Sequence, residues 1–228
     1  SGINAKHHLA PLKLEPLDDE QRWKVDVHLD RIRTGQDAPK GWGYLDIAAA
    51  PVESVPPEFI LAPLQMEDDV NVESMPEALR TNQGFVDYLS QHRDDLLPDL
   101  PIVFKQHPNT GARYQRALKM RREGDKVYAH KQGHVYAYLK HPGCVAVVTV
   151  NSNVANDALL WDVPVVALGK GVWPRRVWYP DLFSVDCAGG EQGPVYPEYV
   201  YALMRAQWSL ADARNPQRVK QAIEEATK

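Results

Sequence analysis

The fold of this chain is indicated most clearly by residues 144–160, which are CVAVVTVNSNVANDALL. The first seven of these residues form an almost wholly apolar run, which is typical of a buried β-strand. Asn151 and Ser152 follow, and side chains of these types cap helices, so a helix is expected through Ala158 to Leu160. A continuously apolar strand followed at once by a helix is typical of a parallel sheet that is covered on both faces.

Four further apolar runs have the same short, continuous character, and helical segments separate them. The runs lie at residues 59–64, 101–104, 127–129 and 164–168. The helices are expected after an S-x-x-E capping box at Ser74 and Glu77, at about 112–122, at 133–140, at 195–213 and at 216–227. The chain is therefore predicted to be α/β, with a Rossmann-like parallel sheet of about five or six strands.

The N-terminal segment differs from the rest of the chain. Residues 18–20 are acidic and are suited to cap a helix that ends at Gly35, although Trp23, Val25 and Val27 also alternate as a strand would; the helix is favoured. Residues 35–58 are rich in Gly, Pro and Ala and are expected to form a connecting loop. We therefore divide the chain into a short irregular segment, 1–58, and a nucleotide-binding domain, 59–228.

Composition sets the broad class of protein. The chain has 228 residues, of which 44% are hydrophobic and 25% charged, so it is neither a disordered chain nor a disulfide-stapled miniprotein. It has no apolar run near the roughly 18 residues that span a bilayer, and no signal-peptide pattern. Cys144 and Cys187 are expected to be free thiols in a reducing cytoplasm. A net charge of −4 gives no broad electrostatic attraction to nucleic acid.

Polar residues follow four of the expected strands, where a doubly wound sheet binds its ligand. These residues are Gln65 to Asp69, Lys105 to His107, Asn151 to Asn153, and Gly169 to Gly171. Loops are polar in most proteins, so the argument depends on the position of these residues at one edge of the sheet. That edge is the predicted ligand site.

The most specific of these clusters is VFKQHP at residues 103–108. An imidazole at His107, fixed by Pro108, can donate to a phosphate, and Lys105 adds a compact positive charge. His141 and Pro142 repeat the dipeptide but precede a strand, so a turn is expected there. The contrast makes position, rather than the dipeptide itself, the evidence for a site.

The turn at residues 151–153 can hold a phosphate, because backbone N–H groups at the start of a helix are unpaired. Asp157 lies about a turn and a half further on and can accept hydrogen bonds from ribose hydroxyls; an ordinary helix cap explains the same residues. Metal binding is not expected, since His130 and His134 lack a third ligand and are interpreted as surface histidines. Gly169 to Gly171 do not match a P-loop.

Together these motifs resemble the capsule polysaccharide synthesis family, bacterial glycosyltransferases that include the retaining β-Kdo transferases of capsule assembly. PLQMEDD at 63–69 is similar to the family's strand followed by Gln-Val-Glu-Asp-Asp, and FKQHP at 104–108 to its Lys-Pro-His-Pro, with Gln106 in place of the first proline. VNSNVANDALL at 150–160 is similar to its Ser/Thr-rich cap and Glu-Ala-Leu-Leu, and PVVALG at 164–169 to the next strand and glycine. The resemblance covers about half of the chain.

The resemblance implies the C-terminal, nucleotide-binding half of a GT-B fold. The transferase is expected to be metal-independent, since no Asp-x-Asp follows a strand, and to use no cofactor. Its co-substrate would be a nucleotide-sugar, with CMP-Kdo as the family's example. The resemblance implies nucleotide contacts for His107, Ser152 and Asp157. Together with the strand-end positions, the predicted nucleotide-sugar contacts are Gln65, Lys105, His107, Pro108, Asn151, Ser152, Asn153, Asp157 and Gly169. Asp157 stands where the family has Glu, one methylene longer. His107, Asp68 and Asp69 are the catalytic candidates, although an acidic loop that only faces solvent fits Asp68 and Asp69 as well.

The front of the chain departs from the family, because 58 residues cannot build the acceptor half of a GT-B enzyme. The chain is therefore expected to be a fragment or a reduced version, or to have its cleft completed by a partner chain or in a homodimer. The acceptor is expected to be a glycan or glycolipid, with a hydroxylated nucleic-acid base left open. Two alternatives also stay open: a sugar-nucleotide epimerase of the same fold, and a non-catalytic nucleotide-binding module of a larger assembly.

Overall fold

The computed structural model describes residues 15–34, 55–68, 75–96, 100–107, 124–128, 134–169, 197–206 and 217. Its strands are β1 (Phe59–Pro63), β2 (Ile102–Lys105), β3 (Lys126–Tyr128), β4 (Cys144–Thr149) and β5 (Val165–Ala167). Its α-helices are α1 (Asp19–Arg33), α2 (Asn82–Leu96), α3 (Val135–Leu139), α4 (Val154–Leu160) and α5 (Pro197–Ala206). A 3-10 helix spans Glu77–Leu79.

The five strands form one sheet in the order β3-β2-β1-β4-β5, and all four pairings are parallel. Leu61 of β1 lies opposite Val103 of β2 on one side and Val147 of β4 on the other. The chain starts the sheet in the middle and builds outward in both directions, so β1 and β4 flank the topological switch point. The prediction of an α/β, Rossmann-like parallel sheet is confirmed.

Helices cover both faces of this sheet. Phe59, Leu61 and Val103 belong to a buried cluster with residues of α3, α4 and α5, and we call this side of the sheet face A. Ile60 and Phe104 belong to a second cluster with residues of α2, on face B. Because alternate residues of each strand point to opposite faces, burial on both sides explains why the strands are continuously apolar.

Helix α1 confirms the helical interpretation of the N-terminal segment. Asp18 accepts a hydrogen bond from the Gln21 N–H at 2.8 Å, and the Gln21 side chain accepts one from the Asp18 N–H at 3.0 Å, which completes a capping box. Val25 is fully buried, whereas Trp23 is 63% exposed. The alternation of apolar residues arises because one side of the helix packs against α5 and the other carries apolar side chains into solvent.

Helix α2 starts later than the capping box predicted. Ser74 lies outside the described residues, and Glu77 belongs to the 3-10 helix rather than to α2. The side chain of Thr81 accepts a hydrogen bond from the Gly84 N–H at 2.9 Å and caps the helix. A Cβ on Gly84 would lie 2.2 Å from the Ala78 carbonyl oxygen, so this close turn requires glycine.

The other helices agree with the sequence where they are described. Helices α3 and α5 lie within the segments predicted as helical, 133–140 and 195–213. The predicted helices at 112–122 and 216–227 fall outside the described residues, apart from Gln217. In the described part of the chain, no helix has both the length and the apolar character needed to cross a membrane.

Candidate functional site

The carboxyl ends of β1 and β4 are joined by a side-chain hydrogen bond. The Gln65 amide nitrogen donates to the Asn151 carboxamide oxygen at 3.0 Å, and Asn151 is only 2% exposed. This bond crosses the switch point, where the connections leave the sheet in opposite directions. Two of the residues that the sequence predicted to bind a nucleotide-sugar are thus brought together by the fold.

The turn between β4 and α4 is an ordered helix cap. Ser152 Oγ accepts from the Val154 N–H at 3.3 Å, and the Ser152 N–H donates to Thr149 Oγ1 at 3.1 Å. Asn153 is exposed, and its carbonyl accepts from the Asn156 N–H at 2.9 Å. Capping was the alternative explanation for these residues, and phosphate binding by this turn stays a prediction.

Lys105 is a buried cation at the end of β2. It is 5% exposed, lies two residues after Val103 and therefore points to face A, and its ammonium donates to the Gln106 carbonyl oxygen at 3.1 Å. Burial lowers the pKa of the Lys105 ammonium to about 8. Half-buried His107 follows at the same edge.

His134 was interpreted from the sequence as a surface histidine, and that was wrong. The residue is half-buried, and its Nδ1 accepts a hydrogen bond from the Tyr136 N–H at 3.2 Å, so the imidazole is the N-cap of α3. Burial, and to a smaller degree the charge of Lys105, lower the pKa of the imidazole to about 4. His134 therefore belongs to the same polar region as Lys105. His130, the other residue interpreted as a surface histidine, lies outside the described residues.

Asp157 contacts a residue that the sequence did not single out. The Tyr136 phenol donates to Asp157 Oδ1 at 3.0 Å, which links α3 to α4 on face A. Burial raises the pKa of the Asp157 carboxyl to about 6, although the hydrogen bond from Tyr136 opposes that rise. Tyr136 was missed because a tyrosine in a short helix has no motif; its only signal was a position at the carboxyl edge after β3.

The loop after β1 is held against α2. Asn82 Oδ1 accepts from the Gln65 N–H at 3.1 Å, and Asn82 Nδ2 donates to the Gln65 carbonyl at 2.9 Å. The Glu67 carboxylate accepts a hydrogen bond from the Asn82 N–H at 2.7 Å and so satisfies a backbone donor at the start of α2. Asp68 is exposed. Glu67, which belongs to the predicted polar cluster at 65–69, is thus engaged in capping α2.

A small, open cleft lies between this loop and α2. Its polar lining comes from Gln65, Glu67, Arg80, Thr81 and Asn82, and its apolar lining from Pro63, Met66, Met75, Leu79, Phe85 and Val150. The cleft opens on face B beside the Gln65–Asn151 hydrogen bond. It lies near the switch point, but on the opposite face of the sheet from Lys105 and Asp157.

The remaining candidates differ in what surrounds them. The Gly169 N–H donates to the Val150 carbonyl at 2.8 Å, and a Cβ at this position would lie 2.8 Å from the same oxygen, so close packing requires the glycine. His141 Nδ1 accepts from the Gly143 N–H at 3.0 Å, which confirms the predicted turn before β4.

Asp69 and Pro108 lie outside the described residues. Within the described ranges, no three His, Cys, Asp or Glu side chains come together as a metal site would require.

Comparison with known proteins identifies a family. The family model for "Capsule polysaccharide biosynthesis protein" matches residues 45–176, more than half of the chain, and this span includes every site residue discussed above. A search of curated proteins found no significant match.

Solved structures of glycosyltransferases resemble the chain in fold. The Thermosulfurimonas dismutans KpsC beta Kdo 2,4 transferase has a TM-score of 0.51 and 16% identity, with 82% of this chain and 56% of that chain covered. The beta Kdo 2,7 transferase of the same KpsC has a TM-score of 0.48 and 16% identity, over 82% of this chain and 53% of that one. A glycosyl transferase family 9 structure from Veillonella parvula DSM 2008 has a TM-score of 0.32 and 12% identity, with 84% of this chain and 52% of that chain covered.

This chain therefore spans about half the length of the solved structures that it resembles. At 16% identity the likeness to the 2,4 transferase shows a shared fold, whereas the family model shows descent over a continuous segment of the sequence. The chain belongs to the capsule polysaccharide biosynthesis protein family.

Proposed function

We propose that this chain is the nucleotide-binding part of a GT-B-like glycosyltransferase that moves a sugar from a nucleotide-sugar to a glycan or glycolipid during capsule synthesis. The observation that carries the proposal is the polar edge at the switch point, where Gln65 bonds Asn151 and a buried Lys105 ends the neighbouring strand. Family membership supports the reaction class.

The spacing of the polar groups fits an extended anionic ligand. β1 lies between β2 and β4, so the ends of these two strands are roughly 10 Å apart, which is two strand spacings. A single phosphate cannot contact groups at both ends, whereas a nucleotide with its sugar can. We therefore expect Lys105 and His107 to bind one end of the ligand and the 151–153 turn with Asp157 to bind the other.

In the transfer step, the bond between the anomeric carbon and the phosphate oxygen breaks, and its electron pair leaves with the nucleotide. An acceptor hydroxyl forms the new bond to the anomeric carbon and gives its proton to a carboxylate. Lys105 and His107 would stabilise the negative charge that develops on the phosphate, since cations in a buried site interact more strongly than in water. Asp68 and Asp69 are our candidates for the carboxylate, and no metal or further cofactor enters this scheme.

Two other functions make different predictions. A sugar-nucleotide epimerase would release an altered sugar without an acceptor, and a non-catalytic module would bind a nucleotide and turn nothing over. In the module, this chain would supply the nucleotide site and no group that carries out the transfer. A partner chain or a second copy would then complete the cleft.

The test is calorimetry of the chain with CMP-, UDP-, GDP- and dTDP-sugars, followed by turnover assays with and without glycan acceptors. We expect the wild type to bind one nucleotide class. The Lys105→Met variant should bind that class about 10- to 150-fold more weakly, because it loses a charge-assisted hydrogen bond. Replacing the exposed Lys140 by Met is the matched control. Absence of binding to every nucleotide would contradict the proposal, and acceptor-independent sugar release would favour the epimerase.

A further inference from the structure

Tyr136 is the described residue that fixes the side chain of Asp157. Its phenol donates to Asp157 Oδ1 at 3.0 Å, and no other side-chain hydrogen bond joins this carboxylate to the described part of the chain. Asp157 lies in α4, next to Asn156, whose carboxamide oxygen accepts from the Tyr199 hydroxyl at 2.7 Å. The backbone position of Asp157 is therefore held by α5, whereas the direction of its carboxylate depends on Tyr136.

The Tyr136 ring is itself held on two sides. The His134 imidazole meets it edge-on, with 4.6 Å between ring centroids, and Trp161 meets it at a tilt, with 6.1 Å between centroids. The Tyr136 N–H is also bonded to His134 Nδ1, so the backbone and the ring are anchored by the same residue. A phenol held in this way presents its hydroxyl to Asp157 at little further cost in side-chain entropy.

We propose that Tyr136 is a positioning residue, which orients the Asp157 carboxylate to accept a hydrogen bond from a ribose hydroxyl of the bound nucleotide. The inference rests on the proposed function, since it assigns a role within the same binding edge. It also names the ligand's chemical class as a ribonucleotide, because a 2′-deoxyribose lacks one of the two hydroxyls from which the carboxylate could accept a hydrogen bond.

The charge of Asp157, and with it the strength of the hydrogen bond that it can accept, should depend on pH. Three titratable groups are near it on the elements that pack there: His134 and Tyr136 on α3, and Lys105 on β2, which interacts with His134. The pKa of His134 is about 4 and that of Lys105 about 8, so neither group titrates close to pH 6. Burial raises the pKa of the Tyr199 phenol above its usual value, so this phenol stays protonated. Asp157, with a pKa of about 6, is the member of this group that changes charge there.

The sign of the effect follows from the hydrogen bond. The Tyr136 hydroxyl lowers the pKa of Asp157, so its removal should raise that pKa and leave more of the carboxyl protonated near neutral pH. A protonated carboxyl is a weaker acceptor than a carboxylate. Loss of Tyr136 should therefore weaken ribose recognition most between pH 6 and 7.

The test is calorimetry of CMP, UMP and GMP, and of their 2′-deoxy and 3′-deoxy counterparts, with the wild type, Tyr136→Phe and Asp157→Asn. We expect the wild type to prefer a ribonucleotide by about tenfold or more at pH 7.5, and to lose the preference as pH falls through about 6. Tyr136→Phe should reduce the preference severalfold and move its midpoint to higher pH. Asp157→Asn should reduce the preference and abolish its pH midpoint.

The control is Tyr88→Phe, because Tyr88 contacts His92 on α2 and is associated with the face B cluster. It should leave both the preference and its midpoint unchanged. Unchanged preference and midpoint in Tyr136→Phe, or a preference as large as that of the wild type in Asp157→Asn, would overturn the inference while nucleotide binding itself stands. Failure of the wild type to bind any ribonucleotide would instead contradict the proposed function, and this inference with it.

Discussion

Lys105 is the residue whose ionisation should control ligand binding in alkaline solution. An exposed lysine keeps its charge to about pH 10, whereas burial lowers the pKa of Lys105 to about 8. Because an anionic ligand needs the charged form, nucleotide affinity should fall as pH rises from 7 to 9. Calorimetry across that range measures the fall.

The matched variant for this prediction is Lys105→Arg, since a guanidinium stays charged throughout the range. Its affinity should be lower than that of the wild type at pH 7, because the fork geometry differs, but it should change little up to pH 9. An affinity of the wild type that is constant to pH 9 would show that Lys105 does not contact the ligand's charge.

His107 and His141 provide a comparison within one chain, because each precedes a proline. Only His107 lies at the carboxyl edge of the sheet, after β2, whereas His141 accepts a hydrogen bond from Gly143 and packs against Phe59. His107→Ala should weaken nucleotide binding about 10- to 150-fold with little change in melting temperature. His141→Ala should leave binding alone and lower stability by about 1 kcal/mol. Equal losses of binding in the two variants would mean that the site is elsewhere.

At the level of single residues, the sequence predicted positions better than contacts. Gln65, Lys105, Asn151 and Asp157 were singled out because they follow strands or begin a helix, and such positions depend on local patterns. The partners of these residues come from distant parts of the chain, as Asn151 does for Gln65, 86 residues away. Tyr136 and the capping role of His134 could not be predicted, because they depend on how α3 packs against α4 and on burial.

Helix α2 shows how a strong local motif can be overruled. Ser74 and Glu77 form a capping box in the sequence, but Glu77 begins a 3-10 helix that precedes α2, and Thr81 caps α2. Thr81→Ala should lower the free energy of unfolding by about 1 kcal/mol, since the Gly84 N–H loses its acceptor. Chemical denaturation measures the change.

The control for this prediction is Ser74→Ala. If α2 begins at Asn82, the loss of the Ser74 hydroxyl should change stability by less than about 0.5 kcal/mol. A larger loss in Ser74→Ala than in Thr81→Ala would place the helix start where the sequence motif predicted it.

The strands were predicted more closely than the helix ends. Each of the five apolar runs overlaps a strand, and burial of the central strands on both faces leaves a signal at successive residues. Helix starts depend instead on which of several acceptors lies close enough to bond the N–H groups of the first turn. For α2 these acceptors are Thr81 and Glu67, and Glu67 reaches the helix from the loop after β1.

Considered as a whole, the molecule has its polar edge at the carboxyl ends of the strands, whereas its N-terminal helix packs against α4 and α5. Arg33 at the end of α1 donates to the Leu160 carbonyl at 2.7 Å and bonds Asp162 at 2.7 Å, just after the C-terminal end of α4. The predicted nucleotide contacts lie at the opposite, N-terminal end of α4. Contacts made by α1 should therefore stabilise the fold without forming part of the ligand site.

The seam between α1 and α5 extends the fold beyond the segment that the family model matches, residues 45–176. Leu29, at 8% exposure, packs there with Val25 and Val200, whereas Val27 on the same helix is 36% exposed. Leu29→Ala should lower the free energy of unfolding by about 2–3 kcal/mol, because it removes buried methyl groups and leaves a cavity. Val27→Ala should change it by about 0.5 kcal/mol at most. Urea denaturation of both variants, with calorimetry of nucleotide binding at a temperature where each is folded, should show lost stability and unchanged affinity in Leu29→Ala; equal stabilities would mean that α1 is not part of the cooperative fold.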